Sequence, residues 1–228
     1  MIWDQKNKKI GLVLSIICII ILLLRNLEIY LNEEAITPEI IPFQICHFAN
    51  FVLLFAFLKD NKTMFATALC FNLPCAILSI VFANSLENYA TILNFRGIAY
   101  ILGHMLIVGI SIWALLAGFV RITKNDIKNG LIFILVLFIL SIPINNIFND
   151  LMPGFSSNYF YTLKPERGTP LEAMYNMGKE ISILGMKFNL VYILLFLVLG
   201  SALYLGLSFA IKYLNDQYKF GQDEIIAK

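Results

Sequence analysis

"IGLVLSIICIIILLLRNLEIYL" (residues 10–31) decides what solvent surrounds this protein. No charge interrupts it before Arg25, and about 20 apolar helical residues are what a hydrocarbon core of ~30 Å requires. Lys6, Lys8 and Lys9 precede it, as in a signal peptide. The stretch is too long for a signal-peptide core and lacks a small-residue cleavage site, so it reads as a retained anchor. The whole chain agrees. Of 228 residues, 59% are hydrophobic and 14% charged, against ~45–50% and ~25% in ordinary soluble domains. Further apolar windows lie at 41–58, 64–82, 96–120, 131–148 and 188–213. Backbone groups in lipid must be satisfied within their own segment, so each window predicts a helix. The expected fold class is all-α: a polytopic membrane helix bundle of six transmembrane helices, forming one integral membrane domain over 1–228.

Basic residues orient the spans. With both termini cytoplasmic, the inside segments hold Lys6, Lys8, Lys9, Lys59, Lys62, Arg121, Lys124, Lys128, Lys212, Lys219 and Lys228, eleven of the seventeen basic residues. Four of the others fall in the long outer loop at 149–187, where the bias counts least. A multi-pass protein of the cell membrane is expected. The net charge of +2, with no basic run, gives no reason to expect a nucleic-acid partner. The four cysteines form no C-x-x-C pair and sit in apolar stretches, which argues against a disulfide scaffold. Within the outer loop, Thr169, Pro170 and Glu172 read as a capping box with proline at the first helical position. Leu171, Met174 and Tyr175 then share a face and Gly178 provides a stop, which predicts a short amphipathic helix on the outer surface.

Polarity gathers in the outer half of the bundle. The second span begins "IPFQICHFAN" (41–50), placing Gln44, Cys46, His47 and Asn50 there. His104 lies eight residues past Arg96, ~12 Å along the fourth span. Arg25 and Glu28 end the first span and are spaced to pair on one helical face or to snorkel at its end. Asn145 and Asn146 end the fifth. Ionisable groups inside a membrane are costly and count as functional candidates. Arg96 reads first as a boundary residue and is kept among the candidate binding groups. His104 has no headgroup-level reason to be where it is; its bland role is a structural hydrogen bond to a neighbouring carbonyl. Gly97, Gly103 and Gly109 around it leave room for another helix or a ligand chain. Cys18, Cys70 and Cys75 read as small hydrophobes.

Cys46 is the candidate nucleophile, because a thiol near a helix start needs only a base to become reactive. His47 is its sequence neighbour, turned ~100° away on the helix, whereas His104 arrives from another helix at similar depth. Gln44, Asn50, Asn145, Asn146 and Asn158 are candidate oxyanion donors, with His47 and Arg96 as further binding groups. Cys46, His47, His104 and Glu28 make too sparse a set for a metal, and no metal or cofactor is expected. The rival readings are a non-catalytic transporter or a solute- or lipid-binding membrane protein, for which neither broken helices nor an inverted repeat is visible, and an assembly partner whose polar residues only join helices.

"IPFQICHFAN", "RGIAYILGH" (96–104) and "NYFYTLKPERGTPLEAM" (158–174) together resemble the YwaF-type family of bacterial integral membrane proteins, over most of the chain from residue 41 to the last span. Gln44 and the short opening of the fourth span depart from the bacterial pattern. A human multispanning relative of that family transfers polyunsaturated acyl chains to ether phospholipids. More distant relatives, the androgen-induced membrane hydrolases, cleave fatty-acid esters with a Thr/His pair. The resemblance implies Cys46 as acyl-accepting nucleophile, His104 as its base, and Asn158, Tyr159 and Tyr161 as parts of the family's loop. Membrane lipids are the substrates it implies, in acyl transfer or ester hydrolysis.

Overall fold

The computed structural model describes residues 5–82, 93–117 and 121–226, with side chains as far as Asp216. Residues 118–120 of the expected fourth span, and the side chains of Lys219 and Lys228, lie outside it. Helices α1 (Gln5–Glu33), α3 (Lys62–Val81), α4 (Phe95–Leu116), α5 (Lys124–Leu151) and α7 (Leu190–Ile226) are long and apolar enough to cross a membrane, and α2 (Ile45–Lys59) is a shorter apolar helix. The protein is an all-α polytopic membrane bundle. Short polar signals set the helix ends. Asn61 accepts from the Met64 amide at 3.1 Å and Asn94 from Gly97 at 2.7 Å. Thr123 and Asp126 close a reciprocal capping box at the start of α5. Inside α3, Ala68–Asn72 widens to a π-helix immediately before Pro74. A proline in a helix interior lacks the amide hydrogen and crowds the carbonyl four residues back, and the wider turn accommodates both defects.

The helices pack through small residues and aromatic rings. α1 lies against α2 and α4, and α3 against α2, α4 and α5. Their shared core holds Phe57, Phe65, Leu69, Ile107 and Tyr204. A second cluster near the other end joins Phe138, Tyr159, Phe160 and Ile193. Large apolar side chains such as Val13, Leu23 and Val198 point outward, as expected of helices whose solvent is hydrocarbon. At Gly103 and Gly109 nothing among the described residues lies within 4 Å of where a Cβ would be, so no described helix uses that space.

The segment between α5 and α7 departs from a simple loop. A 3-10 turn at Tyr159–Tyr161 is followed by α6 (Leu171–Asn176) and by strands β1 (Glu180–Ile183) and β2 (Met186–Asn189), an antiparallel hairpin with no counterpart in the sequence reading. The capping box expected before α6 is not made, and Pro170 stands at the N-cap position. Thr169 Oγ1 donates to the Glu166 carbonyl, while Glu172 accepts from the Gly168 amide. Gly178 serves close approach: a Cβ there would stand 2.2 Å from Asn189 Oδ1.

Gly11 sets how closely α1 meets α2. A Cβ on it would fall 2.1 Å from Cε1 of Phe57, a ring fully buried and held edge-on to Phe65 at 5.0 Å. Gly11→Ala is expected to destabilise the bundle by about 1–3 kcal/mol, the usual cost of overpacking, read as a lower thermal unfolding midpoint in detergent. Gly206→Ala, where nothing lies within 4 Å, leaves the midpoint unchanged or raises it.

Candidate functional site

Three helices each present one face to a common cavity. On α1, Cys18, Leu22 and Arg25 recur at helical spacing; on α2, Cys46 and Asn50 do the same; on α4, Tyr100, His104 and Ile107 complete the wall. The cavity holds about 30 Å³, room for a water or one small functional group. Cys46 and His104, distant in sequence, therefore line the same space.

The histidine's tautomer follows from its neighbour. Nδ1 lies 2.7 Å from the Tyr100 carbonyl oxygen, and a carbonyl only accepts, so Nδ1 carries the hydrogen. In the neutral ring Nε2 then holds the lone pair. Nε2 finds no hydrogen-bond partner among the described residues, and the Cys46 thiol lines the same cavity. The Tyr100 ring packs on the imidazole at 4.1 Å between centroids. Its hydroxyl donates to the Ser79 carbonyl at 3.0 Å, which ties this wall to α3. His104 thus does make the backbone hydrogen bond of a structural histidine, and that bond leaves its other nitrogen free to act as a base.

Arg25 places a fixed positive charge beside the thiol. It is 5% exposed, pairs with Glu39 from the connection between α1 and α2, and lies within electrostatic reach of Cys46. Its Nη1 is 3.4 Å from His47 Nε2. A guanidinium only donates, so His47 is the neutral acceptor there, with its hydrogen on Nδ1. The Arg25–Glu28 pairing allowed by sequence spacing does not form. Glu28 accepts from Arg96 at 3.1 Å, with Glu33 3.8 Å from the same guanidinium. This removes Glu28 from the set weighed for a metal and puts Arg96 outside the cavity wall. Cys18 also departs from its expected role as an inert hydrophobe, since its thiol donates to Asn50 Oδ1 at 2.8 Å. That bond occupies the Asn50 carbonyl oxygen.

The family model described as the TMEM164 family matches residues 1–204. The chain belongs to the TMEM164 family. No curated protein and no solved structure matches it. The matched span contains the cavity and the loop that follows α5, so both are features of a TMEM164-family transmembrane protein.

The remaining candidate residues of this TMEM164-family chain do not line the cavity; all but Gln44 build or anchor that loop. Both amide hydrogens of Asn145 are spent, on the Tyr159 carbonyl and Thr162 Oγ1 at 2.9 Å each, and its oxygen accepts from Ser157 Oγ and the Tyr159 amide. Asn146 clamps the Lys187 backbone in both directions, at 2.8 and 3.2 Å. Asn158 accepts from the Leu163 and Lys164 amides and donates to the Lys164 carbonyl. Tyr159 is fully buried and donates to the Pro38 carbonyl at 2.6 Å. Gln44 is the N-cap residue of α2 and makes no side-chain cap bond. Tyr161 lies in the 3-10 turn of the same loop. Burial, and then the nearby Cys46 thiol and Glu166 carboxylate, hold its phenol above the usual tyrosine range. Its backbone stands at φ 53°, the left-handed region that non-glycine residues rarely adopt.

Arg25 and Tyr100 are cavity groups that the sequence reading did not assign, and Glu39 joins them only as the partner of Arg25. Their signal was present in part: Cys18, Leu22 and Arg25 repeat at helical spacing along one face of α1. Asn145→Leu removes all four of the loop's hydrogen bonds to that side chain and strands buried partners at a cost of roughly 1–3 kcal/mol each. The expected result is a loss of at least about 2 kcal/mol in stability, together with faster tryptic cleavage at Arg167. Asn146→Ala, nearer the surface, is expected to cost less.

Proposed function

We propose that this chain is a membrane-embedded lipid acyltransferase or lipid-ester hydrolase that works through Cys46 and His104. The observation that carries the reading is the Nδ1–H bond of His104 to the Tyr100 carbonyl, which leaves an unprotonated Nε2 for the Cys46 thiol. The resemblance to the YwaF-type family and its ether-phospholipid acyltransferase relative supports the same chemistry, and TMEM164-family membership is compatible with it.

In this scheme His104 Nε2 takes the proton from Cys46 Sγ. The thiolate attacks the carbonyl carbon of a lipid ester, and the carbonyl oxygen becomes an oxyanion. The intermediate collapses by breaking the ester C–O bond, and His104 returns its proton to the departing alkoxide. A thioester remains on Cys46. A lysolipid hydroxyl or a water then gives its proton to His104 and attacks the thioester, and the released thiolate is reprotonated from the imidazolium. Two electrostatic groups favour the charged states. Arg25, held by Glu39, stabilises the thiolate and the oxyanion, and preorganised charge in a dry site is worth far more than the same charge in water. Tyr161 supplies a hydroxyl from the loop. A cavity of about 30 Å³ takes the ester group alone, so the chain methylenes stay in the bilayer and shape, not hydrophobicity, selects among chains.

The positive-inside count places both termini in the cytoplasm and the cavity in the outer half of the cell membrane. The chain then acts as one membrane domain whose donor and acceptor are lipids of the outer leaflet, with acyl groups passing directly from lipid to lipid.

A thiol-directed lipid-ester probe tests the assignment on purified protein in vesicles. Labelling is expected to vanish in Cys46→Ala and to fall by ~10²–10⁴-fold in His104→Ala, the range for loss of a general base. Arg25→Met is expected to lower it by roughly 10²-fold, comparable to the loss of one oxyanion donor. Labelling that persists in Cys46→Ala excludes the nucleophile, and full activity in His104→Ala excludes the base.

A further inference from the structure

The hairpin before α7 is amphipathic. Its register pairs Ile181 with Phe188 and Ile183 with Met186, and Ser182 with Lys187. Side chains alternate across a strand, so four apolar residues share one face and the other carries Glu180, Ser182 and Lys187. The hairpin is fastened to the protein along the edge of β2 by the Asn146 clamp on the Lys187 backbone, and on its polar face by Asn189, whose amide donates to the Tyr175 carbonyl at 2.8 Å. On the apolar face Phe188 packs against the second cluster, while Ile181 and Ile183 stand uncovered. At the tip Leu184 is 92% exposed.

That tip suits water poorly in two respects. Leu184 and Gly185 both have positive φ, 53° and 80°, as in the tight hairpin turns where asparagine or glycine is usual at the first position. A leucine there accepts an unfavourable backbone and exposes a large apolar side chain. The hairpin also leads without a spacer into α7, because β2 ends at Asn189 and the helix starts at Leu190, whose first turns carry the outward-facing Leu190, Val191 and Leu194. The uncovered strand face is thus continuous along the chain with a surface made for lipid. Lys179 and Lys187, both exposed, flank it, at the positions where cations meet lipid phosphates while neighbouring apolar groups enter the acyl region. A protein partner of ordinary affinity needs about 800 Å² on each side, more than three side chains at a hairpin tip provide.

We infer that Ile181, Ile183 and Leu184 insert into the boundary between headgroups and acyl chains of the bilayer that α7 crosses, with phospholipid phosphates meeting Lys179 and Lys187. The hairpin is then an interfacial anchor that fixes the height of the loop and of Tyr161 above the cavity. It does not depend on the chemistry proposed for Cys46.

The test places a tryptophan at the tip of the full chain, Leu184→Trp, in phosphatidylcholine–phosphatidylglycerol vesicles, with the emission of the parent protein subtracted. The added emission is expected to be blue-shifted, to lose most of its intensity to lipids brominated near the carbonyl end of the chain and less to lipids brominated near the methyl end, and to resist aqueous iodide. Ser182→Trp, on the opposite face, is expected to be quenched by iodide. Iodide quenching of the Leu184→Trp signal without lipid quenching overturns the inference. So does shielding of that signal from both quenchers, which assigns the tip to a protein contact, and so does equal lipid quenching at both positions, which removes the sidedness.

Discussion

A guanidinium inside an apolar bundle must find a counter-charge, and the pairing of Arg25 with Glu39 organises much of this protein. Breaking a buried pair by removing one partner costs ~3–5 kcal/mol, because the survivor is left charged and dry. Here the pair draws the connection between α1 and α2 down over the helix ends. Asn26 adds a hydrogen bond to the Ile40 carbonyl at 2.9 Å. The connection so held offers the Pro38 carbonyl to Tyr159 and sets Phe43 edge-on to the same ring at 5.4 Å. It also consumes the residues that might have extended α2, which is why that helix begins only at Ile45, with Cys46 in its first turn.

The loop after α5 rests on this clasp. Asn145 replaces the backbone partners that a regular element would have provided to 157–162, and the buried Tyr159 fastens the turn to the α1–α2 connection. Two successive residues at positive φ, Phe160 and Tyr161, persist because the surrounding bonds over-determine them. The outcome is that Tyr161 lies near Cys46 while the ring beside it packs into the core. Ion pair, clasp and loop thus converge on one small cavity, where two backbone features, the helix start at Cys46 and the carbonyl of Tyr100, prepare the thiol and the imidazole.

Much of the fold was legible because a hydrocarbon solvent imposes a strong pattern: long uncharged runs had no alternative to membrane helices. That Cys46 and His104 line one cavity was also readable as a possibility, from their similar depth. The partner of Arg25 was not. Arg25 and Glu28 are spaced to pair, yet Arg25 shares the inward face of α1 with Cys18 and Leu22, and Glu28 points toward Arg96; which face is inward depends on the neighbouring helices. The amides of Asn145, Asn146 and Asn158 were read as oxyanion donors because a sequence reveals donors without revealing which acceptors claim them. In the fold, the loop's own backbone claims most of them. The hairpin was hidden by its brevity: strands of four residues, joined by Leu-Gly in place of the usual Asn-Gly, give little to read against a long loop.

In the mechanism proposed for Cys46, an acyl group resides on that sulfur during turnover. The most direct measurement is peptide mass spectrometry of the full chain, reconstituted with a phospholipid of defined acyl chain and quenched in acid. The mass of that chain is expected on the peptide containing Cys46, removed by neutral hydroxylamine and missing from Cys46→Ala. An acyl adduct on any other residue, or lipid turnover with Cys46 never acylated, contradicts it.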